Sequence, residues 1–323
     1  MNNPKLSPIE KMIRSAEEEI GTKNIVGVGF GPKIVEGEVK EEKSLRYYVE
    51  KKLPIDELPK INIIPKIISI STFGLRKFKK EKEILTDVIE IGKVEAFVYP
   101  SMAYREKIRP APGGVSVGHK KVGAGTLGAI VRDKKTGKKL ILSNNHVLAN
   151  ENRAKKNDPI IQPGILDNGH KRKDVIAKLL RWVEVDFYNP NTVDAAVAEP
   201  LGDDLVEETI LDIGKVGGVT KARVGMIIQK TGRTTGHTYG EVLDTKASIR
   251  IHYDKGVPLF RNQILTTFMS QPGDSGSLVL TRDKKACGLL FAGSDIISIH
   301  NHIEEVFKQL DIEIYVDYEN IDG

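Results

Sequence analysis

The sequence of 323 residues contains one cysteine, Cys287, and no long apolar run. A single cysteine cannot form an internal disulfide, so the fold must depend on core packing and suits a reducing compartment. No uncharged apolar stretch approaches the ~18 residues needed to span a bilayer, and acidic residues precede the first hydrophobic stretch, unlike in a signal peptide. We therefore expect a cytoplasmic protein with no membrane partner.

The chain also lacks a strong excess of charge of either sign. Lys and Arg number 49 against 44 Asp and Glu, so the net charge of +5 argues only weakly for anionic partners. Hydrophobic residues make up 40% of the chain, which is enough for a substantial core, and the length suggests two domains. These values argue against a peptide hormone, a lone binding module and a disordered linker protein.

Residues 1–98 predict a small α+β domain. Ser7 as N-cap, Pro8 at the first helical position and Glu10 three residues after the cap indicate a helix that ends near Gly21. Its apolar face would consist of Ile9, Met12, Ile13, Ala16 and Ile20. Strand-like runs follow at 25–30, 45–49, 67–71 and 87–91. The role of this domain stays open between regulating access, binding a polypeptide and mediating assembly.

Residues 99–112 read as a proline-punctuated linker, and the pattern changes beyond them. Residues 113–323 contain many short β-type runs separated by turn signals, which point to a closed barrel or a sandwich. One amphipathic segment at 303–310 predicts a C-terminal helix. The predicted fold class is therefore mainly β, preceded by a small α+β domain.

Three strings in the β-rich half carry side chains suited to nucleophilic catalysis: LSNNHVLA with His146, NTVDAAVAEP with Asp194 and QPGDSGSLVL with Ser275. A serine hydroxyl is a poor nucleophile until a histidine takes its proton, and an acid on the far imidazole nitrogen fixes the tautomer. Glycines beside Ser275 permit a tight turn that can direct the N–H groups of Gly273 and Ser275 into one oxyanion hole. Each string alone is weak evidence; together they suggest a hydrolytic triad.

These strings, with GRTTG, resemble the trypsin-like serine peptidases over roughly residues 113–310, most closely the bacterial, disulfide-poor members. GGVSVGHKKVGAGTLGAIVRD, IIQPGILDNG, QKTGRTTGHTYGEV and GLLFAGS are similar to the group that includes the plant narrow leaf family. The resemblance implies a chymotrypsin-like double β-barrel that cleaves polypeptides without cofactor or metal. His146 would be the general base, Asp194 its orienting acid and Ser275 the nucleophile, with the oxyanion hole at Gly273 and Ser275.

The resemblance also implies a support for the oxyanion hole. In trypsin a newly freed N-terminus pairs with the acid beside the nucleophile, whereas bacterial relatives with GRTTG use its arginine. We therefore expect Arg233 to pair with Asp274 in a buried contact, so that the hole forms without processing. The alternative is that Arg233 is a solvated turn residue.

Two positions depart from the family pattern. Phe291 stands where a serine commonly hydrogen-bonds the triad acid, which puts one support of Asp194 in doubt. Asn145 replaces the usual alanine before the histidine, and the disulfide that flanks this region in the family is missing. Neither departure removes a catalytic group.

By position, Met269 would form the floor of the primary substrate pocket, with Ser270 beside it and Ala292 and Gly293 on its wall. Met269 is not a carboxylate, so a preference for Lys or Arg is unsupported, and a medium apolar side chain is expected.

The remaining motifs are better explained by structure than by function. Residues 27–31, GVGFG, fit a glycine-rich strand better than a dinucleotide loop, and the basic run RKFKKEKE from Arg76 fits a solvated loop better than a nucleic-acid site. His300 and His302 lack ligand partners and suit a solvated helix start, so no metal is expected. Cys287 suits a small core residue.

The leading hypothesis is a serine endopeptidase that acts on polypeptides and binds no nucleic acid. The rival is a catalytically silent protein-interaction module on the same fold. A third reading is a narrow esterase or aminopeptidase, of which the aminopeptidase would need an acid near the free amine. The oligomeric state stays open, and a homo-oligomer is compatible with the sequence.

Overall fold

The computed structural model describes residues 7–21, 24–35, 38–55, 58–59, 63–73, 79–92, 94 and 104–314. The chain forms two compact units. The first comprises Met1–Val94 and the short segment Lys246–Arg250, and the second comprises Glu95–Thr245 and Ile251–Gly323. No helix in the described ranges is long and apolar enough to cross a membrane.

The first unit is a small α+β structure. Its elements are α1 (Pro8–Glu17), β1 (Ile25–Val35), β2 (Glu38–Val49), β3 (Ile67–Phe73) and β4 (Lys79–Glu90). The sheet order is β1-β2-β4-β3, with β2 and β4 parallel and the other two pairs antiparallel. Segment Lys246–Arg250 adds an antiparallel strand at the free side of β1, where Gly27 opposes Ile249. The discontinuous segment was not foreseen in the predicted boundary near residue 98.

Helix α1 begins as the sequence predicts, because Ser7 and Glu10 form a reciprocal capping box. It ends at Glu17, four residues before Gly21, which occupies the following turn with φ +86°. The prediction for RKFKKEKE was wrong over its described part, since residues 79–83 belong to β4; residues 76–78 lie outside the described ranges. GVGFG lies in β1 as predicted.

The second unit is mainly β. Its strands are β5 (Ala111–Gly113), β6 (Ser116–His119), β7 (Gly125–Thr126), β8 (Ala129–Asp133), β9 (Lys139–Ser143), β10 (Pro159–Ile161), β11 (Val175–Trp182), β12 (Ala196–Pro200), β13 (Val206–Ile210), β14 (Gly214–Lys215), β15 (Ile227–Gly232), β16 (Gly236–Arg250), β17 (Leu259–Thr267), β18 (Leu278–Thr281), β19 (Ala286–Gly293), β20 (Ile297–His302) and β21 (Ile312–Glu313). Its helices are α2 (Asn145–Leu148) and α3 (Ile303–Leu310), the latter as predicted.

The first barrel closes through one bent segment of chain. Its sheet runs β21-β8-β9-β12-β11-β10-β6-β7, and β7 and β8 are consecutive parts of the stretch 125–133. Apart from the two-residue strand β21, the sheet therefore starts and ends on the same stretch. At the bend, the Leu127 N–H donates to Val115 O and the Gly128 N–H donates to Leu142 O, which ties the two edges together.

The second barrel is a six-stranded antiparallel sheet in the order β15-β18-β19-β20-β17-β16, closed by pairing between β15 and β16. Its interior contains buried apolar side chains that include Ile228, Val242, Ile264 and Leu290. A separate buried cluster joins residues of both barrels with the apolar face of α3, including Leu142, Leu289 and Phe307. The predicted fold class, a double β-barrel with a small α+β unit before it, is confirmed.

The predicted linker at 99–112 belongs in part to the second unit. From Tyr104 onwards its described residues pack there: Tyr104 O accepts the Ser116 N–H, Arg109 Nη2 donates to Gln162 O, and β5 pairs with β13. This segment lacks periodicity because its contacts are made with distant loops, so it resembled a linker in the sequence.

Leu289 tests the cluster that joins the barrels. It is fully buried, and replacing it by alanine leaves a cavity, so Leu289→Ala should lower the free energy of unfolding of the second unit by about 2–5 kcal/mol. The only tryptophan of the chain, Trp182, lies in β11, so its fluorescence during urea unfolding reports this unit. Leu201→Ala, at a residue 52% exposed, should change little. Equal effects of both substitutions would contradict the assignment.

Candidate active site

His146 and Asp194 are brought together by the pairing of β9 with β12. Ser143, the last residue of β9, opposes Ala196, the first residue of β12, in an antiparallel register. The residues after Ser143 and those before Ala196 therefore leave the sheet at the same end. Helix α2 begins at once and presents His146, while Asp194 stands two residues before β12.

The His146 imidazole is held by the Asp194 carboxylate. Their Nδ1 and Oδ2 atoms are 2.6 Å apart, and Asp194 Oδ1 accepts the His146 backbone N–H at 3.3 Å. Asp194 has no exposed surface, and its own backbone is fixed by Asn301 Oδ1 and Asn144 Nδ2. Nε2 of His146 is buried and has no hydrogen-bond partner within the described residues. The ring thus has one fixed nitrogen and one available nitrogen.

Ser275 lies in the loop between β17 and β18, whose shape depends on two glycines. Gly273 and Gly276 have φ of +99° and +97°, and a Cβ on Gly276 would overlap Ser143 Oγ and Thr126 O. Within the described ranges, the N–H groups of Gly273 and Ser275 donate to no protein acceptor. The loop therefore has the tight backbone that the sequence predicts.

The Ser275 loop reaches the first barrel close to His146. Ser275 O accepts the Thr126 N–H at 2.8 Å. A Cβ on the neighbouring Gly125 would lie 3.0 Å from that oxygen and 2.5 Å from Val147 Cγ2, so the residue after His146 packs at the same point. The hydroxyl of Ser275 donates to Phe291 O at 3.3 Å.

The predicted pair between Arg233 and Asp274 was wrong. The cation beside the buried Asp274 carboxylate is Lys230, whose Nζ is 3.3 Å from Oδ2, and both side chains have no exposed surface. Lys230 Nζ also donates to Gly236 O and Thr235 Oγ1. Burial lowers the pKa of Lys230 from its usual value, and the charge of Asp274 opposes that shift.

The GRTTG loop holds Asp274 through its backbone. Asp274 Oδ1 accepts the N–H groups of Thr234 and Thr235 at 2.8 and 3.1 Å, and Oδ2 accepts the Thr235 hydroxyl and the Gln271 N–H. The GRTTG loop therefore contacts Asp274, although its arginine does not supply the pairing charge.

Arg233 forms a different buried pair. Its Nε and Nη2 donate to the two carboxylate oxygens of Asp167 at 2.7 and 2.6 Å. Asp167 also accepts the Ser116 hydroxyl, and the Arg233 N–H donates to Thr126 Oγ1. The bidentate pair joins the GRTTG loop to the first barrel, so Arg233 is not a solvated turn residue.

Other hydrogen bonds are present at the two positions, Phe291 and Asn145, that depart from the pattern of trypsin-like peptidases. Phe291 is fully buried against Phe260, and Asp194 Oδ2 accepts instead the hydroxyl of Tyr253 at 2.5 Å. Asn145 exchanges hydrogen bonds with Asn152, whose N–H donates to Asn145 Oδ1 and whose Oδ1 accepts the Asn145 amide. These bonds close the loop after α2, where a disulfide is absent.

A cleft of about 380 Å³ lies beside His146 and is lined by residues that include Val147, Glu151, Arg153, Tyr253 and Asp254. None of the four residues predicted for the primary pocket, all of which the structure describes, lines it. Those four are buried: Met269 packs with the second-barrel core, Ser270 bonds Ser298, and Ala292 and Gly293 lie in β19. Their role in substrate preference stays a prediction.

The remaining candidates are structural. His300 was wrongly placed at a solvated helix start: it lies in β20 with no exposed surface, and burial lowers its pKa to about 3. His302 directly precedes α3 and is partly buried. Cys287 is a core residue as predicted, and burial raises the pKa of its thiol to about 12. The described residues contain no group of three or more His, Cys, Asp or Glu side chains arranged to hold a metal.

No protein-family model matches this chain, and no curated protein matches it significantly. Solved bacterial serine proteases have a similar fold. Thermobifida fusca protease A has 16% identity and a TM-score of 0.48 over 64% of this chain and 98% of its own. Cellulomonas bogoriensis chymotrypsin has 17% identity and a TM-score of 0.46 over 64% of this chain and 99% of its own. A glutamic acid specific serine protease has 19% identity and a TM-score of 0.49 over 64% of this chain and 100% of its own. Likeness at this level concerns the fold alone, and the link to the narrow leaf family stays a prediction.

The Lys230–Asp274 pair can be tested by a double-mutant cycle. Lys230→Met leaves the Asp274 charge buried without its cation and should lower the free energy of unfolding by about 3–5 kcal/mol. Adding Asp274→Asn removes that charge, so the double variant should regain at least ~1 kcal/mol. Urea unfolding followed by Trp182 fluorescence measures each variant. Lys178→Met, at an exposed position of β11, is the control. Additive losses would show that the two side chains are not coupled.

His300 should make the protein less stable in acid. Its pKa is near 3 in the folded protein and ~6.5 in an unfolded chain, so below pH ~6.5 the unfolded chain takes up a proton that the folded state excludes. Stability is then lost as the pH falls from ~6.5 towards 3, by up to ~1.4 kcal/mol per pH unit. His300→Gln should remove this part of the slope, measured by urea unfolding between pH 4 and 7. His170→Gln, at an exposed histidine, is the control; parallel curves for wild type and His300→Gln would refute the assignment.

Proposed function

We propose that the second unit is a serine peptidase that hydrolyses peptide bonds through Ser275, His146 and Asp194. The observation that carries the proposal is the bond between His146 Nδ1 and Asp194 Oδ2, which leaves the buried Nε2 available at the point where the Ser275 loop meets the first barrel. An imidazole fixed on one nitrogen and available on the other is the arrangement that a general base needs.

In the proposed reaction, the Ser275 hydroxyl leaves the Phe291 carbonyl and turns to His146 Nε2. Its bond to that carbonyl is long, at 3.3 Å, so the exchange costs little. Oγ then attacks the substrate carbonyl while its proton passes to Nε2, and the Asp194 carboxylate stabilises the imidazolium. The C–N bond breaks as Nε2 returns the proton to the leaving amine, and water hydrolyses the acyl-enzyme by the same steps.

The negative oxygen of the tetrahedral intermediate would be stabilised by the N–H groups of Gly273 and Ser275. Neither N–H has a protein acceptor within the described residues, and the residue between them is anchored by five hydrogen bonds to its carboxylate, from Lys230, Gln271, Thr234 and Thr235. A loop fixed before substrate arrives is what electrostatic stabilisation requires.

The specific observation for a silent interaction module is that Ser275 donates to Phe291 O instead of to His146. An aminopeptidase is less favoured, because Glu151 and Asp254, the acids that line the cleft, both accept hydrogen bonds from Arg153. The proposal therefore rests on whether Ser275 can be activated.

A fluorophosphonate probe tests this activation directly. Full-length protein should be labelled at Ser275, and His146→Ala should slow labelling by at least ~100-fold, since the general base contributes about that much. Ser275→Ala should abolish labelling, whereas Ser69→Ala, at an exposed serine of the first unit, should leave it unchanged. Mass spectrometry of the labelled peptide identifies the site, and internally quenched peptides test for cleavage. A well-folded wild-type protein that is never labelled would contradict the peptidase proposal and favour the silent interaction module.

A further inference from the structure

Tyr253 is the residue whose chemistry the proposed triad leaves unexplained. It follows β16, in a tight turn in which its N–H and carbonyl exchange hydrogen bonds with Gly256. Its hydroxyl donates to Asp194 Oδ2 at 2.5 Å, the same oxygen that lies 2.6 Å from His146 Nδ1. One carboxylate oxygen therefore joins the tyrosine and the imidazole.

The Oδ2 atom of the Asp194 carboxylate has a physical need for this second donor. It has no exposed surface, and a buried carboxylate oxygen without enough donors is costly. Phe291, at the position where related peptidases commonly carry a serine, offers no side-chain donor. Tyr253 supplies the hydroxyl from a different part of the chain.

The donor keeps its proton over the whole working pH range. Burial, followed by the negative charge of Asp194, raises the pKa of Tyr253 well above its ordinary value of 10. The hydroxyl is therefore always an O–H donor towards the carboxylate.

The ring of Tyr253 is fixed on three sides by aromatic contacts. It stacks on Phe260 at 6.0 Å, meets Phe187 edge-on at 6.2 Å and meets the His146 ring edge-on at 5.9 Å, each measured between ring centroids. These contacts leave the hydroxyl little freedom, so it defines where the carboxylate oxygen lies relative to the imidazole.

We propose that Tyr253 is the positioning residue of the proton-transfer chain, holding Asp194 Oδ2 in line with His146 Nδ1 in place of the serine that Phe291 replaces. The proposal rests on the proposed function. The hydroxyl of Tyr253 acts through Asp194, whereas its ring packs against His146 and stays in place when only the hydroxyl is removed. A donor on the carboxylate also draws off part of its charge, which tunes how strongly His146 holds a proton.

Tyr253→Phe removes the hydroxyl and keeps the ring contacts. We expect fluorophosphonate labelling and peptide kcat/KM to fall about 10-fold at the pH optimum, which is a part of the roughly 100-fold or more that a general base contributes. The acid limb of both pH profiles should move to higher pH, because the carboxylate with one donor fewer holds the imidazolium proton more strongly. A purely structural role would lower thermal stability without moving the acid limb.

The charged and titratable groups near Tyr253 are the same in wild type and in Tyr253→Phe. They are Asp194 and His146, His252 and Asp254 beside it in the chain, and Glu151 and Arg153 in the cleft. Tyr188→Phe, at a tyrosine that is 98% exposed, is the matched control and should keep wild-type rates and profiles. A Tyr253→Phe enzyme with the rate and acid limb of wild type would overturn the proposal and leave the peptidase function intact.

Histidine NMR keeps the proposal testable if the wild-type protein proves inert towards the probe. The His146 ring signals, including that of the Nδ1 proton, should shift in Tyr253→Phe relative to wild type, because Asp194 Oδ2 then has one donor fewer. His146→Gln identifies those signals. Identical His146 signals in the two proteins would refute the role of Tyr253, whereas an inert wild type with shifted signals in the variant would refute only the peptidase function.

Discussion

The architecture of the candidate site depends on one buried charge, the carboxylate of Asp194. A carboxylate without contact to water is stable only when its oxygens are occupied by donors, and here they are a backbone N–H, an imidazole N–H and a phenol O–H. Two of these donors belong to His146, and the third belongs to Tyr253 in a distant part of the chain. The carboxylate therefore fixes α2, the strand edge of the first barrel and the turn after β16 relative to one another.

A second buried carboxylate, Asp274, organises the other half of the site in the same way. Lys230 supplies the cation and the GRTTG backbone supplies the remaining donors, so the loop that carries Ser275 is attached to β15 and to the hairpin that follows it. Arg233 performs a related task at Asp167. Three buried carboxylates, each paired with a nitrogen base or a cation, thus hold the loops of the candidate site in place.

The sequence alone is sufficient to predict the features that depend on neighbouring residues in the chain. The helix cap at Ser7, the strand runs and helix α3 all follow from short-range patterns. The glycines around Ser275 likewise predict the turn that they form. Alternation along β15 could also have identified Lys230, because it shares the inward face with Ile228, which lies in the second-barrel core. The GRTTG resemblance directed attention to the wrong cation, three residues further along.

Contacts between distant parts of the chain could not be predicted in this way. Nothing near Tyr253 indicates that its hydroxyl meets a carboxylate 59 residues away, and His300 looked solvated because it stands next to a helix start. Which face of a strand is covered by another element is decided by the closure of the barrels, and single-sequence patterns do not contain that information.

The discontinuity of the first unit has a consequence for how the protein is made. Its sheet gains the strand at the free side of β1 only from Lys246–Arg250, and Ile249 in that strand is fully buried. On a ribosome, the first ninety residues emerge long before this strand exists. Until residue 250 has been synthesised, β1 presents an unpaired edge, which is a template for pairing with another chain. The first unit can therefore complete its sheet only when residues up to 250, and with them most of the second unit, have been synthesised.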